Sequence, residues 1–544
     1  MQTLPTRINP RDDIFQRNRE DMLEALVQLD QLHDEAANGA GRERTRERLR
    51  KRGKLPVRER VGYLLDPDTP FLELSPLSGY YTNYPVGSTM LAGIGVVSGT
   101  ECAILASDPS VMAGAMIPVA IDKWSRAMEI ARTNHMPYIQ LVESAGGDLR
   151  GAEGEEAERM MRDDLIHFAD SGRQFFEVTE LSKLGIPTVS VVFGASTAGG
   201  AYQPGLSDYN IFVEGAAQVA LGGPPLVKMA TGEDADYEQL AGARMHAEIS
   251  GLSDYLARDE LEALRMARDV VEHLHWKKLG PGPSHSPDAP AHDPEELLGL
   301  VSSDLRTPFD MREVIARVVD GSRFEEFKPL YGPTMVCGWA SIHGYPVGVL
   351  GNNGVIFSEA AQKAAQFIQL CNQIDTPLLF LQNITGFMVG TEYEQGGIVK
   401  DGSKMLNAVT NSTVPHITVI VGASYGAGTY GMSGRAYDTR FVFLWPSAKI
   451  AIMGPKQMAG VMSIVARARA ARTGEPFDEA EDARRAEEVI KWAELRSTAA
   501  YASGRVVDDG IIDPRDTRAA VGMALSTCHS NKVKGAQGYG VFRM

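Results

Sequence analysis

The sequence predicts an α/β protein built as two similar halves, and three observations predict it. Apolar strand-like runs end in glycine-rich turns that lead into helices, a proline-rich stretch divides the chain near its middle, and segments on either side of it repeat one another. At 544 residues the chain exceeds the size at which a single hydrophobic core stops growing, roughly 250–300 residues, so two cores are expected.

Taken in order, residues 1–60 predict a charged helical arm. Met22, Leu23, Leu26, Leu29 and Leu32 fall at helix-like spacing and give it one apolar face. Ten Lys or Arg lie between Arg42 and Arg60, interspersed with Glu43, Glu47 and Glu59. Such a run reads as a solvated helix and turn, with a phosphate-attracting patch as the alternative. A first core domain is expected over 61–280. Five prolines and two glycines fall in Gly280–Pro294 (GPGPSHSPDAPAHDP), a density that excludes helix and strand, so 281–304 is expected to be a linker. A second core domain is expected over 305–544.

The two cores repeat each other in the same order. Ile186–Tyr202 (IPTVSVVFGASTAGGAY) matches Val414–Tyr430 (VPHITVIVGASYGAGTY) at one constant offset. Ala220–Pro225 (ALGGPP) is similar to Ala451–Lys456 (AIMGPK). Met128–Gly147 parallels Ala364–Gly386: each predicts a helix, a turn marked by proline, an apolar strand and a glycine turn. Ser358 is placed to cap the second of these helices, with Glu359 in its first turn and Phe367, Ile368, Cys371 and Ile374 on its apolar face. Strands apolar at successive positions are expected to be covered on both faces.

Composition narrows the function. A net charge of −16 argues against a nucleic-acid binder. The four cysteines, Cys102, Cys337, Cys371 and Cys528, are too scattered for a metal knuckle and suit a reducing compartment, and no metal site is expected in this chain. The N-terminus lacks the apolar stretch of a signal peptide and no apolar run reaches the ~18 residues of a membrane span. A cytoplasmic protein without a membrane contact is expected.

A strand that ends in a tight Gly/Ala turn presents main-chain N–H groups, and small side chains let a ligand approach them. Such groups bind phosphate or stabilise an oxyanion, where one donor is worth ~2.7–4 kcal/mol of barrier. Two motifs at the second turn compete with this. Gly426-Ala427-Gly428-Thr429-Tyr430-Gly431 fits a dinucleotide fingerprint, but the next strand-like run, FVFLW, ends without the acid that motif requires. Gly422-Ala423-Ser424-Tyr425-Gly426 fits a nucleophile elbow, but only His529 follows, and the matching Ser196 stands in GASTA, which breaks the motif.

With both turns in hand, FGASTAGGAY, GGPPLVKMATGE, QNITGFMVG, IVGASYGAGTYGMSGRAY and WPSAKIAIMG resemble the carboxyltransferase (beta) subunits of biotin-dependent acyl-CoA carboxylases. GKLPVRERVGYLLDPDTPFLEL and the terminal GYGVFRM resemble the same family, so the likeness runs from about residue 45 to the end. It implies two tandem crotonase-like (ClpP/crotonase) ββα-superhelix domains, the first for acyl-CoA and the second for carboxybiotin. It implies biotin carried on a separate biotin carboxylase/biotin carrier (alpha) subunit, and a homo-oligomer, often a hexamer, with active sites between subunits. By the resemblance Ala198, Gly199 and Gly200 hold the thioester enolate oxygen, and Gly426, Ala427 and Gly428 hold the ureido oxygen of released biotin. By the same resemblance Ala145, Gly146 and Gly147 line the CoA side, and Thr385, Gly386 and Phe387 line the biotin side. Lys228, which follows Gly222–Pro225, is placed to meet a CoA phosphate, with a solvated lysine as the alternative. In the family biotin itself takes the proton, which explains why no side-chain base stands beside either turn.

QNITGFMVG and SYGAGTYGM lean towards the methylcrotonyl- and geranyl-CoA branch rather than the propionyl-CoA branch. The sequence departs from it at Ala145-Gly146-Gly147-Asp148 and at Gly454-Pro455-Lys456-Gln457-Met458, which leaves the acyl group open; a short or medium branched acyl- or enoyl-CoA is expected. Two alternatives stand beside this: a carboxyltransferase of a biotin-dependent decarboxylase, and a non-catalytic acyl-CoA-binding scaffold.

Overall fold

The structure, a computed structural model, describes residues 1–39, 41–147, 172–304 and 307–544. Leu305, where the second core was expected to begin, lies outside the described residues. The chain forms two units: one holds Gln31–Leu279 with Gly504–Val506, the other Met1–Asp30, Gly280–Ser503 and Val507–Met544.

The first strand of the chain, β1 (Gln2–Thr3), joins the sheet of the C-terminal unit, pairing antiparallel with Arg323–Glu326. In the N-terminal unit the sheet contains β2 (Leu72–Glu73), β3 (Met90–Val97), β4 (Thr100–Ser107), β5 (Tyr138–Ser144), β6 (Thr188–Thr197), β7 (Tyr209–Val213), β8 (Gln218–Ala220) and β9 (Tyr255–Ala257). Their order is β2-β3-β4-β5-β6-β7-β9 among the described residues. The β2–β3–β4 pairings are antiparallel, those from β4 to β9 parallel, and β8 extends the sheet beside the last residues of β6.

The C-terminal unit repeats this plan with β10 (Arg323–Glu326), β11 (Met335–Ile342), β12 (Tyr345–Asn352), β13 (Leu378–Ile384), β14 (His416–Tyr425), β15 (Phe441–Leu444), β16 (Lys449–Ala451) and β17 (Gly510–Ile511). The order is β1-β10-β11-β12-β13-β14-β15-β17, with β16 beside the end of β14. Even the register irregularity is duplicated: it falls between Val142 and Ser144 in one sheet and between Gln382 and Ile384 in the other.

Burial on both faces explains the apolar runs of the central strands. Val189, Val191 and Phe193 of β6 pack towards helices Val57–Leu64 and Glu260–His273, while Val192 faces Phe212, Ala217 and Ala201 on the other side. In the C-terminal unit Leu378 and Phe380 pack against helix Ser358–Gln373 and against Met405 and Val409 of helix Ile398–Asn411. Ser358 is the first residue of its helix and makes no side-chain cap; Phe357 holds the cap position, and the expected serine cap is corrected here.

The duplication extends to an Arg–Glu pair with a buried lysine nearby in each unit. In the N-terminal unit Arg58 forks onto Glu73 at 2.8 and 2.9 Å, and buried Lys123 lies nearby, its Nζ donating to the Met90 carbonyl at 3.0 Å. In the C-terminal unit Arg312 forks onto Glu326 at 2.8 and 2.6 Å, with buried Lys363 4.0 Å from the same carboxylate. Burial pulls the Lys123 ammonium down to about 8 and lowers that of Lys363.

The basic stretch is not simply a solvated face. Arg42 is buried against Asp108 and the Val86 carbonyl, and Arg46 bonds Asn38. Arg60 is 1% exposed, bridges Glu143 and Glu260, and lies 4.4 Å over the Phe193 ring. Lys54 joins Glu143 and the Phe193 carbonyl. These groups tie the helices before the first sheet onto its core. All four cysteines are buried, and the Gly280–Pro294 stretch is strapped down: Gly280 N–H donates to the His529 carbonyl, Ser284 N–H to Gly344 and Ala291 N–H to Ser322 Oγ.

Candidate active site at the paired glycine turns

The C-terminal ends of neighbouring parallel strands carry turns that open away from the sheet, a place where α/β proteins bind ligands. In the N-terminal unit β6 ends at Thr197 and runs into the short turn Ala198–Ala201 and then Tyr202–Gly205. Ala198 takes φ 56°, a left-handed conformation uncommon for a residue with a Cβ. Its counterpart in the C-terminal unit, Gly426, takes φ 59°. The turn therefore demands a positive φ in both halves, and the first half meets it with alanine at a cost of about 1–3 kcal/mol, the kind of strain that clusters at functional sites.

Ala198 is exposed, Gly199 half-buried and Gly200 buried; Gly426 is half-buried, Ala427 exposed and Gly428 buried. Gly426 N–H donates to the Ala451 carbonyl, and Thr429, Tyr430, Gly431 and Met432 donate back to the carbonyls of Gly426, Ala427 and Gly428. No acceptor among the described residues takes the N–H of Ala427 or Gly428, as expected for the first N–H groups of a helical turn.

The companion turns lie alongside. After β5, Gly146 takes φ 88°, and its carbonyl accepts from Met116 N–H at 2.9 Å. A Cβ on Gly146 would stand 3.3 Å from the Thr197 carbonyl, so the Ala145–Gly147 turn abuts the Ala198–Gly200 turn. After β13, Gly386 takes φ 129°, and its carbonyl accepts from Ile356 N–H at 3.1 Å. A Cβ on Gly428 would lie 3.4 Å from Gly386 Cα, so Thr385–Phe387 abuts Gly426–Gly428. Within 4 Å of a Cβ built on Gly147 or Gly386 there is nothing among the described residues. Phe387 turns its ring towards Gly402 and Gly431 and closes the floor of the second turn. Asp148, one of the departures from the branch pattern, lies outside the described residues.

Lys228 is exposed on helix Pro224–Thr231 and pairs with Asp234. Bulk is tolerated unequally at the turns. A Cβ on Gly428 would stand 2.6 Å from Ile384 Cγ1, so valine there disturbs packing, whereas one on Gly199 would stand 3.4 Å from Phe175 Cζ, an ordinary contact.

Ser424 is fully buried and donates to Gln382 Oε1 at 2.6 Å, with Thr429 Oγ1 at 2.8 Å; no histidine is among its partners. That removes the nucleophile elbow. The fingerprint fails as well, because the helix it would open spans only Gly428–Gly431. Several neighbours escaped sequence reasoning: Phe175, which packs 5.2 Å from Tyr202, Met116 beside Gly200, and Gln382 and Thr429 beneath the second turn. Gln382 opens the QNITG segment and Thr429 lies within GAGTYG, but neither segment shows that they bond to Ser424.

Residues 48–538 match the family model of the carboxyl transferase domain. The chain is similar to the probable biotin-dependent acyl-coenzyme A carboxylase beta2 subunit of Mycobacterium tuberculosis, 53% identical over 95% of this chain and 96% of that protein. It is 44% identical to the mitochondrial methylcrotonoyl-CoA carboxylase beta chain of Dictyostelium discoideum, over 97% of this chain and 89% of that one. Among solved structures, the beta subunit of P. aeruginosa geranyl-CoA carboxylase superposes with a TM-score of 0.89 at 40% identity, covering 100% of both chains.

Proposed function

The chain belongs to the carboxyl transferase family, as a beta subunit of biotin-dependent acyl-CoA carboxylases, and from that premise we infer that its two glycine turns divide the work of one transfer. The two sheets are tandem crotonase-like domains. The observation that carries the division is the duplicated turn: the same strand-to-turn geometry, with φ near 56° and 59° at matched positions, occurs once in each unit beside a companion turn.

Carboxyl transfer needs the thioester of an acyl-CoA as its enolate, so negative charge gathers on one oxygen. The N–H groups of Ala198–Gly200 hold that oxygen and strengthen as charge develops, which lowers the barrier rather than merely binding substrate. Gly146 and Gly147 leave room for the thioester and pantetheine, and Lys228, which already has Asp234 as a partner, is offered to a CoA phosphate. Carboxybiotin, carried on a partner subunit, supplies the carboxyl group. The open turn Thr385–Phe387 and the unpartnered N–H groups of Ala427 and Gly428 suit the ureido ring and its oxygen.

Phe175, whose ring is tilted against that of Tyr202 and lies beside Gly199, walls the first turn and favours a short branched acyl or enoyl group over a long chain. Assembly into a homo-oligomer is supported by apolar side chains that the described residues leave exposed: Val461, Met462, Ile464 and Val465 on helix Pro455–Thr473, and Leu226 and Met229 on helix Pro224–Thr231. No helix among the described residues is long and apolar enough to cross a membrane. The test is to reconstitute the chain with its biotin-bearing partner and screen acyl-CoAs for ATP-dependent bicarbonate fixation. Fixation on a short branched enoyl- or acyl-CoA is expected; none with any acyl-CoA would overturn the proposal.

A further inference from the structure

We propose that the matched serines Ser196 and Ser424, with Thr429 and Gln382, are positioning residues that set the geometry of the two turns, a role that rests on the function proposed above. The atoms leave the protons little choice. Met432 carbonyl can only accept, and it takes Gln382 Nε2 at 2.7 Å, which turns Gln382 Oε1 towards Ser424. Ser424 Oγ–H must then donate to that oxygen, at 2.6 Å. Thr429 Oγ1–H is left to donate to Ser424 Oγ, at 2.8 Å. The relay Thr429–Ser424–Gln382–Met432 thus joins the last residues of β14, the residue just after Gly428 and the end of the short helix to a side chain on the neighbouring strand β13. Ser424 and Gln382 are fully buried, so these bonds are made away from water and are costly to leave unmade.

Ser196 holds its own turn by another route. Its hydroxyl donates directly to the Gly200 carbonyl at 2.8 Å, tying the end of β6 to the third residue of the turn. In the second turn the Gly428 carbonyl takes Met432 N–H at 3.0 Å, and the serine hydroxyl meets Gln382 and Thr429. In each half the serine proton is committed to a neutral acceptor, so the residue that resembles a nucleophile acts as a fastening.

Thr429 allows a clean test in the reconstituted complex. Its methyl lies 2.5 Å from where a Cβ on Gly434 would stand, so methyl and hydroxyl have separate jobs. Thr429→Val keeps the shape and deletes the hydroxyl; Thr429→Ser keeps the hydroxyl and deletes the methyl. Positioning predicts that Thr429→Val lowers kcat about 10- to 100-fold, since small misplacements at a reacting centre cost that much. The KM for acyl-CoA stays within about twofold, because the loss falls on the transition state. Thr429→Ser restores most of kcat, and Ser424→Ala, measured alongside with its melting temperature, repeats the valine result. A purely structural role through the methyl gives the reverse order, with valine active and serine impaired, and overturns the proposal. Wild-type complex without any transfer overturns the underlying function; active wild type with an equally active Thr429→Val overturns the positioning alone.

Discussion

Replacing Ala427 with proline removes one donor from the second turn and disturbs little else. Ala427 sits at φ −65°, the value to which the proline ring is locked at about −65°. The preceding residue, Gly426, has no Cβ to clash with the ring. No acceptor among the described residues is lost with the N–H. A compatible proline stabilises by about 0.4–1 kcal/mol through the unfolded state, so the melting temperature should hold or rise slightly. If the N–H stabilises a developing oxyanion it is worth about 2.7–4 kcal/mol, or about 10²–10³ in kcat. The ring's Cδ stands where the hydrogen pointed, so that loss is a minimum. The assay is steady-state incorporation of labelled bicarbonate into acyl-CoA by the reconstituted complex, with calorimetry on the same preparations. Ala427→Gly keeps the donor and should retain far more activity than the proline variant. A folded Ala427→Pro complex whose kcat stays within about threefold of wild type would refute the second turn as an oxyanion site.

Other consequences can be measured separately. Phe175→Gly opens the wall of the first turn and should raise kcat/KM for longer acyl-CoAs relative to short ones; an unchanged ratio argues that the acyl group lies elsewhere. Arg60→Met leaves the buried Glu260 carboxylate without its cation, while Glu143 keeps Lys54, and should cost about 3–5 kcal/mol in denaturant unfolding. Burial, with the Arg440 charge, holds the His416 imidazole down at about 3. The unfolded chain therefore binds this proton first, so the contribution is full above about pH 6.5 and is lost as pH falls below it. From pH 6.5 to 5.5 the wild type should lose about 1 kcal/mol relative to His416→Gln, and parallel stability curves would contradict this.

How much was legible in the sequence follows from distance along the chain. The duplicated strands and turns are contiguous segments, so the repeat and its glycines could be read directly, and Ala198 aligned with Gly426 before any φ was known. The relay of Gln382, Ser424 and Thr429 depends on strand pairing between β13 and β14, which contiguous motifs do not show. The duplicated Arg–Glu–Lys groups are likewise assembled from a helix, a strand and a second helix. The basic stretch reads as solvated from its neighbours along the chain, whereas its partners Asp108, Glu143 and Glu260 come from distant elements. The Ser358 cap failed by one position: the helix begins at the serine, so the cap falls on Phe357. The first strand lies in the stretch expected to be a helical arm, yet it extends the C-terminal unit's sheet, a pairing of two residues too short to carry a pattern.

The division of labour between the two turns is tested most directly by a structure of the reconstituted complex with an acyl-CoA and the biotin-bearing partner. The account predicts the thioester oxygen about 2.7–3.1 Å from N–H groups of Ala198–Gly200, and the biotin ureido oxygen at like distance from Ala427 or Gly428. An acyl-CoA thioester seated at Gly426–Gly428, or either oxygen held by side chains away from both turns, would contradict it.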